Sequence, residues 1–111
     1  MVKKNILVIA AHPDDEVLGC GGMLMRSSAE SAKVGWLIIT GISEEYGWDA
    51  NQVKERIKEV EKVRQTLGIQ NRHLFELGFP TTRLDTIPMG KLIKKISDVF
   101  QNFQPREILV P

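Results

Sequence analysis

The sequence of 111 residues predicts an α/β fold, a parallel sheet of about four strands with helices on both faces. Three observations carry this. Residues 6–11 (ILVIAA) are an unbroken apolar, largely β-branched run, the pattern of a parallel strand buried on both faces. Two later segments repeat apolar residues at intervals of three and four, the period of an amphipathic helix. Strand-like and helix-like segments also alternate, as right-handed βαβ units require.

The elements follow in order. Residues 6–11 form β1. Val17, Leu18, Met23, Leu24 and Met25 are spaced along one helical face and give α1, over about 17–33. Residues 34–40 (VGWLIIT) form β2, with Trp36 as a packing residue, and 41–50 is a polar loop. Val53, Ile57, Val60, Val63 and Leu67 mark the buried stripe of α2 (53–67), closed by Gly68. Residues 73–77 form β3, followed by a loop over 78–85. Pro88 opens α3 (88–103), because proline is tolerated in a first turn. Met89, Leu92, Ile93, Ile96, Val99, Phe100 and Phe103 form its stripe, and Pro105 prevents its continuation. Residues 108–110 form β4, expected to lie beside β1. The result is a Rossmann-like single domain over 1–111. It stops after its fourth strand with the next loop absent, so the expectation is the N-terminal portion of a longer parent.

Composition narrows the function. A 42% hydrophobic content supplies one core but not two at this length. A net charge of +1 leaves no electrostatic footprint for nucleic acid or an anionic membrane. The single cysteine, Cys20, permits no internal disulfide, which fits a reducing cytoplasm. The first apolar run is too short for an export signal, and no segment approaches the ~20 apolar residues of a membrane span.

Chemistry is concentrated where β1 ends, since ligands of such sheets bind beyond the carboxyl ends of the strands, at the point where strand order reverses. There the sequence reads His12-Pro13-Asp14-Asp15-Glu16. A dinucleotide site needs a glycine turn offering N–H groups to phosphate, and three carboxylates would repel it. They suit a divalent cation. His12 and Asp15 stand three apart and can converge on one metal, imidazole nitrogen and carboxylate oxygen being ordinary zinc ligands. Asp14, between them, can take a proton from a water activated by that metal. The plainer alternative is that Asp14 or Asp15 only caps α1 and complements its dipole.

These residues also carry a resemblance. Ala11-His12-Pro13-Asp14-Asp15-Glu16 with Leu18-Gly19-x-Gly21-Gly22 resembles the first motif of the PIG-L/LmbE-like deacetylases, zinc enzymes that remove acetyl groups from N-acetylglucosamine-type substrates. Leu37-Ile38-Ile39-Thr40-Gly41 with Glu44 or Glu45 and Gly47 resembles the second-strand segment. Arg56-x-x-Glu59 with Leu67-Gly68 resembles the second-helix signature. Leu77-Gly78-Phe79-Pro80 through Arg83-Leu84-Asp85 resembles the third-strand loop. The first motif is specific and the others are supportive.

The resemblance implies His12 and Asp15 as zinc ligands, Asp14 as general base, and Arg56 and Asp85 as substrate-binding residues, with Glu16 supporting the site by hydrogen bonding. The alternative for Arg56 is a solvated pair with Glu59 on α2. The family's third zinc ligand, a histidine in a motif after the fourth strand, is not present in this chain. His73, the other histidine, begins β3 and so belongs to the opposite end of the sheet from the site. Cys20 reads as a packing residue, and Tyr46 and Trp48 lie in a loop that can edge a substrate pocket.

The expected function is therefore zinc-dependent deacetylation of a small amino-sugar substrate, the 111 residues by themselves being incomplete and weakly active or inactive. The alternative is a non-catalytic α/β module that binds a sugar or cation and forms a homo-oligomer through the open edge of β4.

Overall fold

The computed structural model describes residues 5–10, 33–80 and 86–110. β1 spans Asn5–Ala10, β2 Lys33–Gly41, β3 Leu74–Pro80 and β4 Glu107–Leu109, all parallel, in the order β3-β2-β1-β4. Between them stand α2 (Ala50–Thr66) and α3 (Met89–Phe103). The expected α1 lies outside the described residues.

The helices cover opposite faces of the sheet because alternate residues of a strand point to opposite sides. Ile6, Val8 and Ala10 pack with Trp36, Ile38, Val60 and Leu67 on the α2 side. Leu7 and Leu37 pack with Val99 and Phe103 on the other. An unbroken apolar run is therefore what β1 needs, and Leu7 and Val8 are both fully buried. Trp36 is also fully buried, as its packing role required.

Local chemistry sets the helix ends. Asp49 caps α2 through a reciprocal box: its carboxylate accepts from the Gln52 backbone N–H at 2.8 Å, and Gln52 Oε1 accepts from the Asp49 N–H at 3.1 Å. After α2 the chain turns through Gly68 at φ 69°, and Arg64 Nη1 donates to the Ile69 carbonyl at 2.7 Å. At the end of α3, Asn5 Nδ2 donates to the Phe103 carbonyl at 2.9 Å and Arg106 N–H to the Asn5 carbonyl at 2.8 Å, which ties the helix exit to the start of β1.

Three expectations change. β3 begins at Leu74, with His73 closing a short 3-10 turn (Asn71–His73), and it runs on to Pro80 instead of ending at Leu77. A register shift between Ile38 and Thr40 lets Phe79 pair opposite Thr40, and Gly78 at φ 71° supplies the left-handed step that most side chains resist. Phe79 is buried by this pairing. In α2, Ile57 is 63% exposed, and in α3 Met89 and Ile93 are 69% and 55% exposed, although all three belong to predicted apolar stripes. For α3 the reason is contact geometry: the helix meets the sheet through its last two turns, where Val99 and Phe103 are buried and Ile96 and Phe100 partly so.

Candidate active site

The strand order fixes where a site can form. From β1 the chain moves outward through β2 to β3, then returns to place β4 on the other side of β1. The reversal falls between β1 and β4, and their carboxyl ends frame the crevice in which such sheets bind ligands. The segment bearing His12, Asp14 and Asp15 continues directly from β1 in the sequence. These three residues, with Glu16, Cys20 and Asp85, lie outside the described residues. Among the described residues no group of three or more His, Cys, Asp or Glu is gathered to hold a metal ion.

Arg56 is described, and its position is informative. It lies three residues after Val53 and four before Val60, so it shares the side of α2 that faces the sheet. Val60 is 6% exposed and the Arg56 side chain 30%. A solvated helix face would leave an arginine more open than this. The side chain instead borders a cavity of about 110 Å³ between α2 and the carboxyl end of β2, walled by Ile38, Thr40, Gly41 and Val60, with Glu76 of β3 also at its edge. The pairing expected as the alternative is present too: Arg56 Nε lies 3.5 Å from Glu59 Oε2. With Glu59 62% exposed, that contact orients the guanidinium and contributes at most about 1 kcal/mol.

A second, larger cavity of about 350 Å³ adjoins the first and shares Ile42 and Arg56 with it. Its lining includes Trp48, in agreement with a pocket-edging loop. Tyr46 is directed elsewhere, its hydroxyl donating to the Gly78 carbonyl at 3.5 Å. Glu44 and Glu45 stand exposed in the short helical turn Glu44–Tyr46.

Glu76 is the charged residue of the smaller cavity that the sequence did not single out. Its signal was available: a carboxylate inside the otherwise apolar run Leu74 to Leu77 needs an opening to face. His73 immediately precedes the amino end of β3. It is 7% exposed, with its ring edge-on to Phe103 at 5.3 Å. Burial lowers its pKa below 6.5, and the charges of Lys33 and Arg72 act in the same direction.

Residues 7–111 match the family model described as PIG-L, GlcNAc-PI de-N-acetylase. The chain is 28% identical over 106 residues to the uncharacterized deacetylase YaiS of Escherichia coli, covering 96% of this chain and 54% of that one. Among solved structures it resembles the conserved protein TT1542 from Thermus thermophilus, with a TM-score of 0.70 and 37% identity over 93% of this chain and 44% of that one. It also resembles the N,N′-diacetylchitobiose deacetylase of Pyrococcus horikoshii, solved with its inhibitor MPG: TM-score 0.75, 26% identity, 95% of this chain and 39% of that one. The chain thus spans about half the length of its curated relative, and less than half of each solved one.

Proposed function

Since the chain belongs to the PIG-L family of GlcNAc-PI de-N-acetylases, we propose that it forms the N-terminal portion of an N-deacetylase fold acting on a small N-acetylglucosamine-type substrate in the cytoplasm. The observation that carries this is the placement of Arg56. A charged side chain on the sheet-facing side of α2 borders a cavity at the carboxyl end of β2, next to the central strand from which the His12-Pro13-Asp14-Asp15 segment continues.

In this reading Arg56 and Asp85 hold substrate hydroxyls and so fix the sugar relative to the end of β1. Asp14 takes a proton from the water as its oxygen bonds to the acetyl carbon, the work of a general base, and returns that proton to the amide nitrogen as the C–N bond breaks, so that acetate and the free amine leave. His12 and Asp15 would hold a zinc ion, which supplies Lewis-acid polarisation of the acetyl carbonyl and a lowered pKa for water. The donor types fit zinc, but two protein ligands fall short of the three usual at a catalytic zinc. The reading therefore assigns low turnover to the 111 residues by themselves.

Acetate release from N,N′-diacetylchitobiose by the full-length natural protein tests it. Asp14→Asn should lower turnover by about 10²-fold or more while zinc content stays constant. Equal turnover in the variant would overturn the assignment.

The exposed apolar side chains of Ile108 (44%) and Val110 (71%) favour a second reading, a sugar-binding module without catalysis that self-associates along β4. Sugar binding by a dimer, with no acetate released by the zinc-loaded full-length protein, is the outcome that selects it.

A further inference from the structure

Arg56 and Glu76 are the two charged residues lining the smaller cavity, one from α2 and the other from β3. Register puts them on the same side of the sheet: Glu76 pairs with Ile38, which belongs to the core on the α2 side, and laterally paired residues of parallel strands point to one face. The two charges are not bonded to each other. Arg56 Nε contacts Glu59 on its own helix at 3.5 Å, whereas Glu76 makes no hydrogen bond or ion pair among the described residues. A permanent donor and an acceptor-only carboxylate therefore share one small space.

A hydroxyl satisfies both, because its oxygen accepts from a guanidinium while its hydrogen is donated to a carboxylate. Phosphate does not suit the place, since Glu59 and Glu76 set two carboxylates against one cation. Size agrees with a single substituent: about 110 Å³ is well below the roughly 300 Å³ at which pockets for whole ligands begin. Most of the remaining wall is aliphatic, from Ile38, Ile42, Val53 and Val60, which leaves Arg56 and Glu76 to fix the orientation of a polar group. Register also sets the distance from the chemistry. Ala10, Ile38 and Glu76 form one line across β1, β2 and β3. Two strand spacings of about 4.8 Å put Glu76 roughly 10 Å from the residue at which β1 ends, and His12 follows two residues after it. A substituent held at Glu76 therefore belongs to the side of a sugar ring remote from a group that reacts beyond β1.

We propose that Glu76 determines specificity within the amino-sugar ring: its carboxylate accepts a hydrogen bond from one hydroxyl on the side remote from the acetamide, while Arg56 donates to the oxygen of that same hydroxyl. This rests on the amino-sugar reading given above. It adds a requirement to that reading, a free hydroxyl at C4 or C6 of the sugar that is neither removed nor phosphorylated.

Acetate release by the zinc-loaded full-length natural protein, measured as kcat/KM on N-acetylglucosamine and on its 4-deoxy and 6-deoxy analogues, tests both levels separately. One of the deoxy sugars should react about tenfold less well or worse, the usual effect of losing a hydrogen bond to a charged group. Glu76→Ala should lower kcat/KM for the parent sugar by a similar factor and leave that deoxy sugar nearly unchanged, so that the two losses do not add. Glu76→Gln keeps an acceptor oxygen and should retain part of the preference. Because Glu76 is exposed, both variants should unfold at the wild-type midpoint, and emission from the fully buried Trp36 reports whether each core is intact. Equal kcat/KM for the three sugars, or losses that add in the variant, would overturn the role of Glu76 while leaving the amino-sugar reading standing. Absence of acetate from all three would overturn both.

Discussion

Gly35 lies directly beneath the ring of Phe103: a Cβ built on Gly35 would stand 2.9 Å from both Cε1 and Cζ of that ring and 3.2 Å from Leu7 Cδ1. The phenyl ring occupies the space that a side chain on β2 would fill. Phe103 also meets His73 edge-on at 5.3 Å and Phe75 at 6.0 Å, and Lys33 Nζ lies 5.3 Å from its centroid. The last turn of α3 is therefore fitted to a notch in the sheet.

Gly35→Ala should accordingly destabilise the fold by about 1–3 kcal/mol, the usual cost of overpacking a close contact. Denaturant unfolding checks this through a lower midpoint at unchanged slope. An unchanged midpoint would mean that Phe103 can move aside freely.

Stability should depend on pH through His73. Its pKa in the fold is held below 6.5, first by burial, then by the charges of Lys33 and Arg72. Below pH 6.5 the unfolded chain takes up a proton that the folded chain refuses, so the His73 contribution is complete above 6.5 and is lost as pH falls through the depressed value. Unfolding curves at a series of pH values should show this slope, and His73→Phe should flatten it. A variant with the wild-type slope would assign the effect to other groups.

Asp49→Ala removes the carboxylate that caps α2 and breaks the reciprocal contact with Gln52. A loss of about 0.5–2 kcal/mol is expected. Amide exchange should be fastest in the first turn of α2, because fraying starts at an uncapped end. Uniform protection along the helix would contradict this.

Arg56→Ala should separate binding from stability. The ion pair with Glu59 is largely exposed and contributes at most about 1 kcal/mol, so the unfolding midpoint should move little. Affinity for an amino sugar should fall by about tenfold or more, as expected when a charge-assisted hydrogen bond is removed. Wild-type affinity in a folded variant would return Arg56 to a surface role.

Zinc retention by the chain should be weak and should depend on His12 and Asp15. Dialysis against a chelator is expected to strip the metal, and His12→Ala should prevent reloading, because a pair of protein ligands holds zinc less firmly than a complete set. Stoichiometric zinc that resists the chelator would show a further ligand in the chain.

The layout of the fold is legible in the sequence wherever burial is two-sided or strictly periodic. Residues 6–11 announced β1 because a strand covered on both faces has no polar positions to break the run. Val53, Val60, Val63 and Leu67 announced α2 by spacing. The same spacing misplaced Ile57, Met89 and Ile93, since periodicity identifies an apolar stripe but not how much of it the sheet covers. The extension of β3 to Pro80 was hidden for a similar reason: Gly78 reads as a loop residue, and only pairing with β2 turns it into a step within a strand.

For the proposed site, the sequence by itself supplied the candidate residues. It named His12, Asp14 and Asp15 through a motif, and Arg56 and Asp85 through resemblance. Of these, Arg56 falls among the described residues. What tertiary structure decided was convergence: β4 returns beside β1, α2 presents Arg56 toward the sheet, and Glu76 and Trp48 arrive at cavities that meet at that arginine. The physical reason is that local sequence determines which face of an element is apolar, whereas strand order and register determine which polar exceptions on those faces come to share one space.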